Sequence, residues 1–304
     1  MKMLFKKIGT ALIGAAVISS FGFLGCSKNA SCCGAQASCC NDKEILVVSF
    51  GTSYNTSRTI TIGGIESAIR EAFPEWKVER AFTADTIIGI LKDRDGIVVD
   101  SVQQALDKAV KEGIKTLIIQ PTHLMSGFEF TDLNTLAQQY KGKFDSLVVS
   151  SPLLTSDGDY EKVSAAITKK TVSFDDGKTA ICFMGHGTEA DSNSDYAKMQ
   201  TVLTNGGFKN YYVGTVEATP SVEDLIAAVK ANPAYTRVVL LPFMVVAGDH
   251  ANNDMAGDED DSWKSQFLAE NYEVTPVLEG LGQNWDVQQI YVQHVKDAMA
   301  TLSK

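Results

Sequence analysis

Four histidines occur in this 304-residue chain: His123, His186, His250 and His294. Three of them stand in loops that follow short, apolar, β-type runs. His123 comes after residues 116–120 and Pro121, His186 after residues 179–184, and His250 beyond residues 237–241 and Pro242. Glu217 closes a further run of this kind, residues 211–216. His186, Glu217 and His250 are therefore expected at three successive strand ends, 31 and 33 residues apart. Two imidazoles and a carboxylate suit a borderline divalent ion such as cobalt, iron, nickel or zinc. Three protein donors leave coordination positions open, which means catalysis or transfer rather than a closed structural site. The plain alternative is three unrelated loop residues. The spacing excludes the helical H-E-x-x-H protease pattern. His294 falls in a terminal helical stretch, residues 287–302, and reads as a surface or packing residue.

Other chemistries lack their residues. No G-x-G-x-x-G follows a strand, there is no G-x-x-x-x-G-K-[ST], and there is no G-x-S-x-G elbow, so no nucleotide cofactor is expected. The acidic stretch after His250 lacks the ligand spacing of an EF-hand. Gly51-Thr52-Ser53 after the first strand offers backbone N–H groups to an anion, or is a simple turn.

The elements that must carry these residues repeat. Residues 45–50, 77–82, 116–120 and 145–150 read as strands, with amphipathic helices over residues 65–73 and 98–111. The pattern restarts with strands over 179–184, 211–216, 237–241 and 273–277, and a helix over 221–231. Gly51-Thr52 matches Gly187-Thr188, Pro121 matches Pro242, Gly127 matches Gly248, and Glu129 matches His250. The expected fold is α/β: two similar parallel-sheet α/β domains related by a pseudo-two-fold, with a cleft between them. The expected divisions are residues 43–165 and 166–304. Open α/β sheets bind ligands beyond the carboxyl ends of their strands. Cys182, four residues before His186 in a strand, reads as packing.

The first forty residues are of another kind. Lys2, Lys6 and Lys7 precede an apolar run over residues 8–24, which reads as a secretory signal peptide over residues 1–25. Phe23-Leu24-Gly25-Cys26 resembles a bacterial lipobox, with Phe where Leu is usual. The expectation is an exported, periplasmic protein whose membrane contact is a lipid anchor at Cys26. An uncleaved anchor is the alternative, for which the run is short. Residues 26–42 read as a Cys/Ser/Ala-rich tether holding five of the six cysteines. Cys32-Cys33 and Cys39-Cys40 there suit a soft metal or disulfides, or are incidental thiols; C-x₂-C spacing is absent. The formal charge is −10. Removing residues 1–25 takes three lysines and no acids, leaving 24 basic against 37 acidic residues, a charge of −13. Nucleic acid is not an expected partner of so acidic a chain. A homo-oligomer is compatible with the sequence, which does not set its order.

Particular stretches resemble the anaerobic-type sirohydrochlorin cobaltochelatases (CbiK type) of the class II chelatases. They are Val47-Val-Ser-Phe-Gly-Thr-Ser53, Met184-Gly-His-Gly187, Thr215-Val-Glu217 with Pro220-Ser221, and Leu241-Pro-Phe-Met-Val-Val-Ala-Gly-Asp-His250 continuing through Asn253-Asp-Met-Ala-Gly-Asp258 to Ser262-Trp263. The resemblance runs from about Glu44 to the C-terminus. It implies a tetrapyrrole, sirohydrochlorin, held between the domains, with a divalent metal as second substrate: Co²⁺, with Fe²⁺ and Ni²⁺ as alternatives. It also places metal handling on His186, Glu217 and His250. Candidate contacts for the substrate carboxylates are Ser53, Arg58 and the N–H groups after Phe50; Arg58 is alternatively an ordinary surface charge. His123 is expected to face the cleft, with substrate contact, axial ligation of a bound tetrapyrrole and plain packing as its readings. Export departs from the family expectation, since a cobalamin-pathway chelatase belongs in the cytoplasm. The rival functions are an exported metal or tetrapyrrole binder without turnover, a ferrochelatase-like enzyme acting on a porphyrin, and a structural envelope domain.

Overall fold

The structure is a computed structural model and describes residues 42–302. The signal, tether and cysteine-pair expectations fall outside the described residues. No helix among those residues is long and apolar enough to cross a membrane.

Two four-stranded parallel sheets carry the fold. In the first, β1 (Lys43–Ser49) lies between β2 (Lys77–Phe82) and β3 (Thr116–Pro121), with β4 (Ser146–Val149) outside β3. In the second, β5 (Thr179–Gly185) lies between β6 (Tyr211–Thr215) and β7 (Arg237–Pro242), with β8 (Glu273–Pro276) outside β7. Both sheets thus share one strand order, as the sequence repeat predicts. The central strands are near-continuous apolar runs because helices cover both faces. Leu46 and Val48 pack with Leu117 and Ile119 on one face of the first sheet, under α4 (Val102–Glu112) and α5 (Phe128–Tyr140). Ala180, Cys182 and Met184 pack with Val238 and Leu240 on one face of the second, under α8 (Val222–Lys230) and α9 (Trp263–Ala269).

The remaining faces meet in one shared core. Ile45, Val47 and Ile118 from the first sheet join Ile181, Phe183, Val239 and Leu241 from the second. The intervening helices are α2 (Ile62–Ala72), α6 (Asp157–Thr171), α7 (Ser194–Asn205) and α10 (Trp285–Leu302). The expected division at residue 165 falls inside α6, whose Tyr160, Val163, Ala166 and Ile167 belong to that core. The last helix does not stay with the second sheet. α10 returns to pack on α2, α6, β3 and β4, with the Tyr291 hydroxyl donating to the Thr122 carbonyl at 2.9 Å.

Local chemistry sets the helix starts. Ser101 and Gln104 form a capping box at α4, Ser156 and Asp159 one at α6, and Ser221 and Asp224 one at α8. Two short helices follow the loop after β1 and the β2 edge: α1 (Asn55–Ile60) and α3 (Asp85–Asp95), the latter stopped by Gly96 at φ 67°.

Candidate metal centre

Each member of the predicted triad is positioned by a strand end. β5 stops at Gly185, and His186 follows. Gly187 then turns the chain at φ 91°, where a Cβ would come within 2.8 Å of the Ala218 amide nitrogen; only glycine fits there. The turn brings the next loop alongside, and Glu217 N–H donates to the His186 carbonyl at 2.9 Å. That second loop folds back on itself, because Thr215 donates to the Pro220 carbonyl through both its N–H (2.7 Å) and its hydroxyl (3.1 Å). Asn193 ties the two loops, accepting from Thr188 N–H and donating to the Thr219 carbonyl.

His250 begins a π-helical turn over Ala251–Met255. Three side-chain bonds of i,i+4 spacing wind it. Asn252 donates to the Gly248 carbonyl at 2.7 Å, Asn253 to Asp249 at 2.9 Å, and His250 Nδ1 lies 2.7 Å from Asp254 Oδ2. Single π turns recur at functional sites.

The three side chains converge. The His186 and His250 rings are 4.5 Å apart between centroids and nearly perpendicular, at 87°. One donor atom from each of His186, Glu217 and His250 lies within 4.8 Å of the others, close to the span of about 4 Å open to ligands 2.0–2.2 Å from one ion. His186 Nδ1 is 2.9 Å from the Gly187 carbonyl. A carbonyl only accepts, so Nδ1 carries the proton and Nε2 keeps its lone pair. Asp254 does the same for His250. With Nδ1 so engaged, Nε2 is the ring nitrogen that keeps its lone pair in each histidine. The side chains of His186 and Glu217 are about half exposed and that of His250 a third, so an ion held here stays open to a further ligand.

The first half holds the same frame with a different set of side chains. Thr122 N–H donates to Val48 as Phe243 N–H does to Met184, and Ala84 N–H to Phe50 as Glu217 N–H does to His186. By this register Phe50, Ala84 and Glu129 stand in the first half where His186, Glu217 and His250 stand in the second. The two frames also face each other reciprocally. A Cβ on Gly248 would come within 3.3 Å of Thr52 Oγ1, and one on Gly127 within 3.6 Å of Ser192 Oγ. Ala247 N–H donates to the Ser57 hydroxyl, and the Tyr54 hydroxyl donates to Asp249.

The other sequence candidates lie elsewhere. The His123 side chain is 7% exposed, with Nε2 3.3 Å from Glu129 Oε2. It sits beside Glu129, outside the triad, with neither ring nitrogen hydrogen-bonded. Arg58 is not a surface charge: it is 6% exposed and donates to the Thr52 carbonyl at 3.4 Å. Burial, with Arg80 nearby, pushes its guanidinium below the ordinary value. It holds the loop after β1 from behind. Arg94 is the exposed cation there, donating to the Ser53 carbonyl and paired with Asp95. Ser53 itself is half-buried in that loop. His294 is buried against Asp159 at 3.2 Å, a packing residue as expected. Asp254 carries a signal already present in the sequence, an aspartate four residues after a candidate ligand histidine.

This geometry can be set beside known proteins. The family model described as cobalt chelatase (CbiK) matches residues 43–300. The chain belongs to that family. It is 37% identical over 257 residues to the sirohydrochlorin cobaltochelatase of Salmonella typhimurium, covering 84% of this chain and 96% of the relative. It is 29% identical to the sirohydrochlorin cobaltochelatase CbiKC of Nitratidesulfovibrio vulgaris, covering 86% and 92%. Among solved structures it shares its fold with SirB from Bacillus subtilis with Fe³⁺, at a TM-score of 0.59 and 12% identity over 86% of this chain and 97% of that one. It also matches CbiX, the terminal enzyme of sirohaem biosynthesis in denitrifying bacteria, at a TM-score of 0.50 and 16% identity over 84% and 99%. The architecture of this family member is thus a chelatase α/β fold.

Proposed function

We propose that the protein inserts Co²⁺ into sirohydrochlorin, with His186, Glu217 and His250 as the residues that hold and hand over the ion. The convergence of one ring nitrogen from each histidine and a carboxylate oxygen within 4.8 Å of one another, from three loops beyond the carboxyl ends of β5, β6 and β7, carries this reading. Insertion places the ion on the ring nitrogens and releases two protons from them. The two histidines hold the ion above the ring; Glu217 completes the site and accepts one proton, and the other goes to a histidine nitrogen that the departing ion frees. The donor set is equally suited to Fe²⁺ and Ni²⁺, so metal choice is tested by competition. The ring lies between the facing loops of the two halves. Ser53 and the N–H groups after Phe50 serve its carboxylates.

The N-terminal features support export to the periplasm with an anchor at Cys26. They also favour the second reading, a tethered binder that holds metal or tetrapyrrole without turnover. Purified protein mixed with sirohydrochlorin and Co²⁺ distinguishes the two: a spectral change over many turnovers supports the chelatase, and a stoichiometric one the binder. Wild-type activity in a His186→Ala, His250→Ala double variant would remove the site assignment.

A further inference from the structure

The two histidines of the centre differ in what holds the second nitrogen of each ring. The hydrogen-bond partner of His186 Nδ1 is a neutral backbone carbonyl, Gly187 at 2.9 Å, with the Glu217 carboxylate beyond hydrogen-bond reach at 3.7 Å. The partner of His250 Nδ1 is a carboxylate, Asp254 at 2.7 Å. An anionic partner makes the imidazole a better electron donor to metal and fixes its orientation; a neutral one does less. The frames differ as well. Asp254 sits in a turn wound by the Asn252–Gly248 and Asn253–Asp249 bonds. That turn is closed behind by Gly257, where a Cβ would come within 2.3 Å of the Asn253 carbonyl. The His186 side chain is the more exposed of the two, 47% against 32%.

We infer that Asp254 is a positioning residue that makes His250 the anchoring ligand, so that His186 is the histidine that lets go of the ion first. This rests on the metal-centre reading above. A site that must give up its cargo gains from unequal ligands. One keeps the ion over the ring while the other vacates a coordination position for the first ring nitrogen.

The test needs no tetrapyrrole. Co²⁺ alone is titrated into the purified full chain and its affinity read by Co²⁺ absorption in competition with a chelator. Asp254→Asn, which keeps the shape and removes the charge, should weaken Co²⁺ by about 10–100-fold. His250→Ala should cost more than His186→Ala. The Asp254→Asn, His250→Ala double variant should lose no more than His250→Ala alone. Asn253→Ala loosens the same turn without touching His250 and should cost less than Asp254→Asn. In turnover, Asp254→Asn should raise the Co²⁺ KM far more than it lowers kcat. Affinity of Asp254→Asn within twofold of wild type, a larger loss in His186→Ala than in His250→Ala, or an equal loss in Asn253→Ala would each overturn the inference. Co²⁺ binding indifferent to both histidines would overturn the metal-centre reading, and this inference with it.

Discussion

Phe50 and His186 hold the same place in the two halves of the molecule. Each carries the carbonyl that accepts from the residue two past the following strand, Ala84 in one case and Glu217 in the other. The protein is thus a repeat in its backbone and asymmetric in its chemistry. A phenyl ring, half exposed, stands where the other half has the candidate ligand His186. An exposed apolar ring just past a strand end suits contact with one face of a flat macrocycle.

Phe50→Ala is therefore expected to weaken tetrapyrrole without touching the metal. Covering half a phenyl ring contributes about 1 kcal/mol, so the sirohydrochlorin KM should rise about five- to tenfold. Co²⁺ affinity measured without tetrapyrrole should stay as in wild type. An unchanged KM would show that the ring does not lie against Phe50.

Much of this asymmetry was legible in sequence. Apolar runs with Pro121 and Pro242 at matching ends mark the strands, because a parallel sheet covered on both faces needs such runs. The triad was legible because strand ends in one sheet share an edge. Other features were not. Periodicity shows which face of a helix is buried but not against what, so the return of α10 to the first half is invisible in residues 287–302. Helices such as α5 and α7 bury few residues and show weak periodicity: Leu133 and Ala137 in one, Tyr196, Met199 and Leu203 in the other. A buried arginine looks like an exposed one in sequence, and Arg58 is held by the Thr52 carbonyl that only the fold supplies.

The Tyr54 hydroxyl crosses from the first half to Asp249, next to His250. Burial and the Asp249 carboxylate both push this phenol above its ordinary value, since each disfavours phenolate. Tyr54 therefore remains a donor, and the contact holds, past the pH near 10 at which a free phenol ionises. Asp249→Asn should bring the Tyr54 titration back down, read as phenolate absorbance in the variant minus the same variant carrying Tyr54→Phe. A Tyr54 titration that Asp249→Asn leaves in place would show that the carboxylate is not its partner in solution.

Asp159 makes the corresponding tie for α10. It accepts from the Ser156 N–H and hydroxyl at 2.8 Å each, and His294 Nε2 lies 3.2 Å from its other oxygen. Burial pushes the carboxyl up, but the bonds from Ser156 and His294 outweigh it and hold Asp159 below its ordinary value. A carboxylate depressed in the folded state stabilises above its unfolded value, about 3.9, and that contribution is lost as pH falls through the lower folded value. Asp159→Ala, which uncaps α6 and leaves His294 without its partner, should cost about 1–3 kcal/mol in urea unfolding at pH 7. Asp159→Asn should be less stable than wild type at pH 7, and the gap should narrow below about pH 4 as the wild-type carboxylate protonates. A gap that stays constant from pH 7 to pH 3 would mean that the charge of Asp159 does not hold α6 and α10 together.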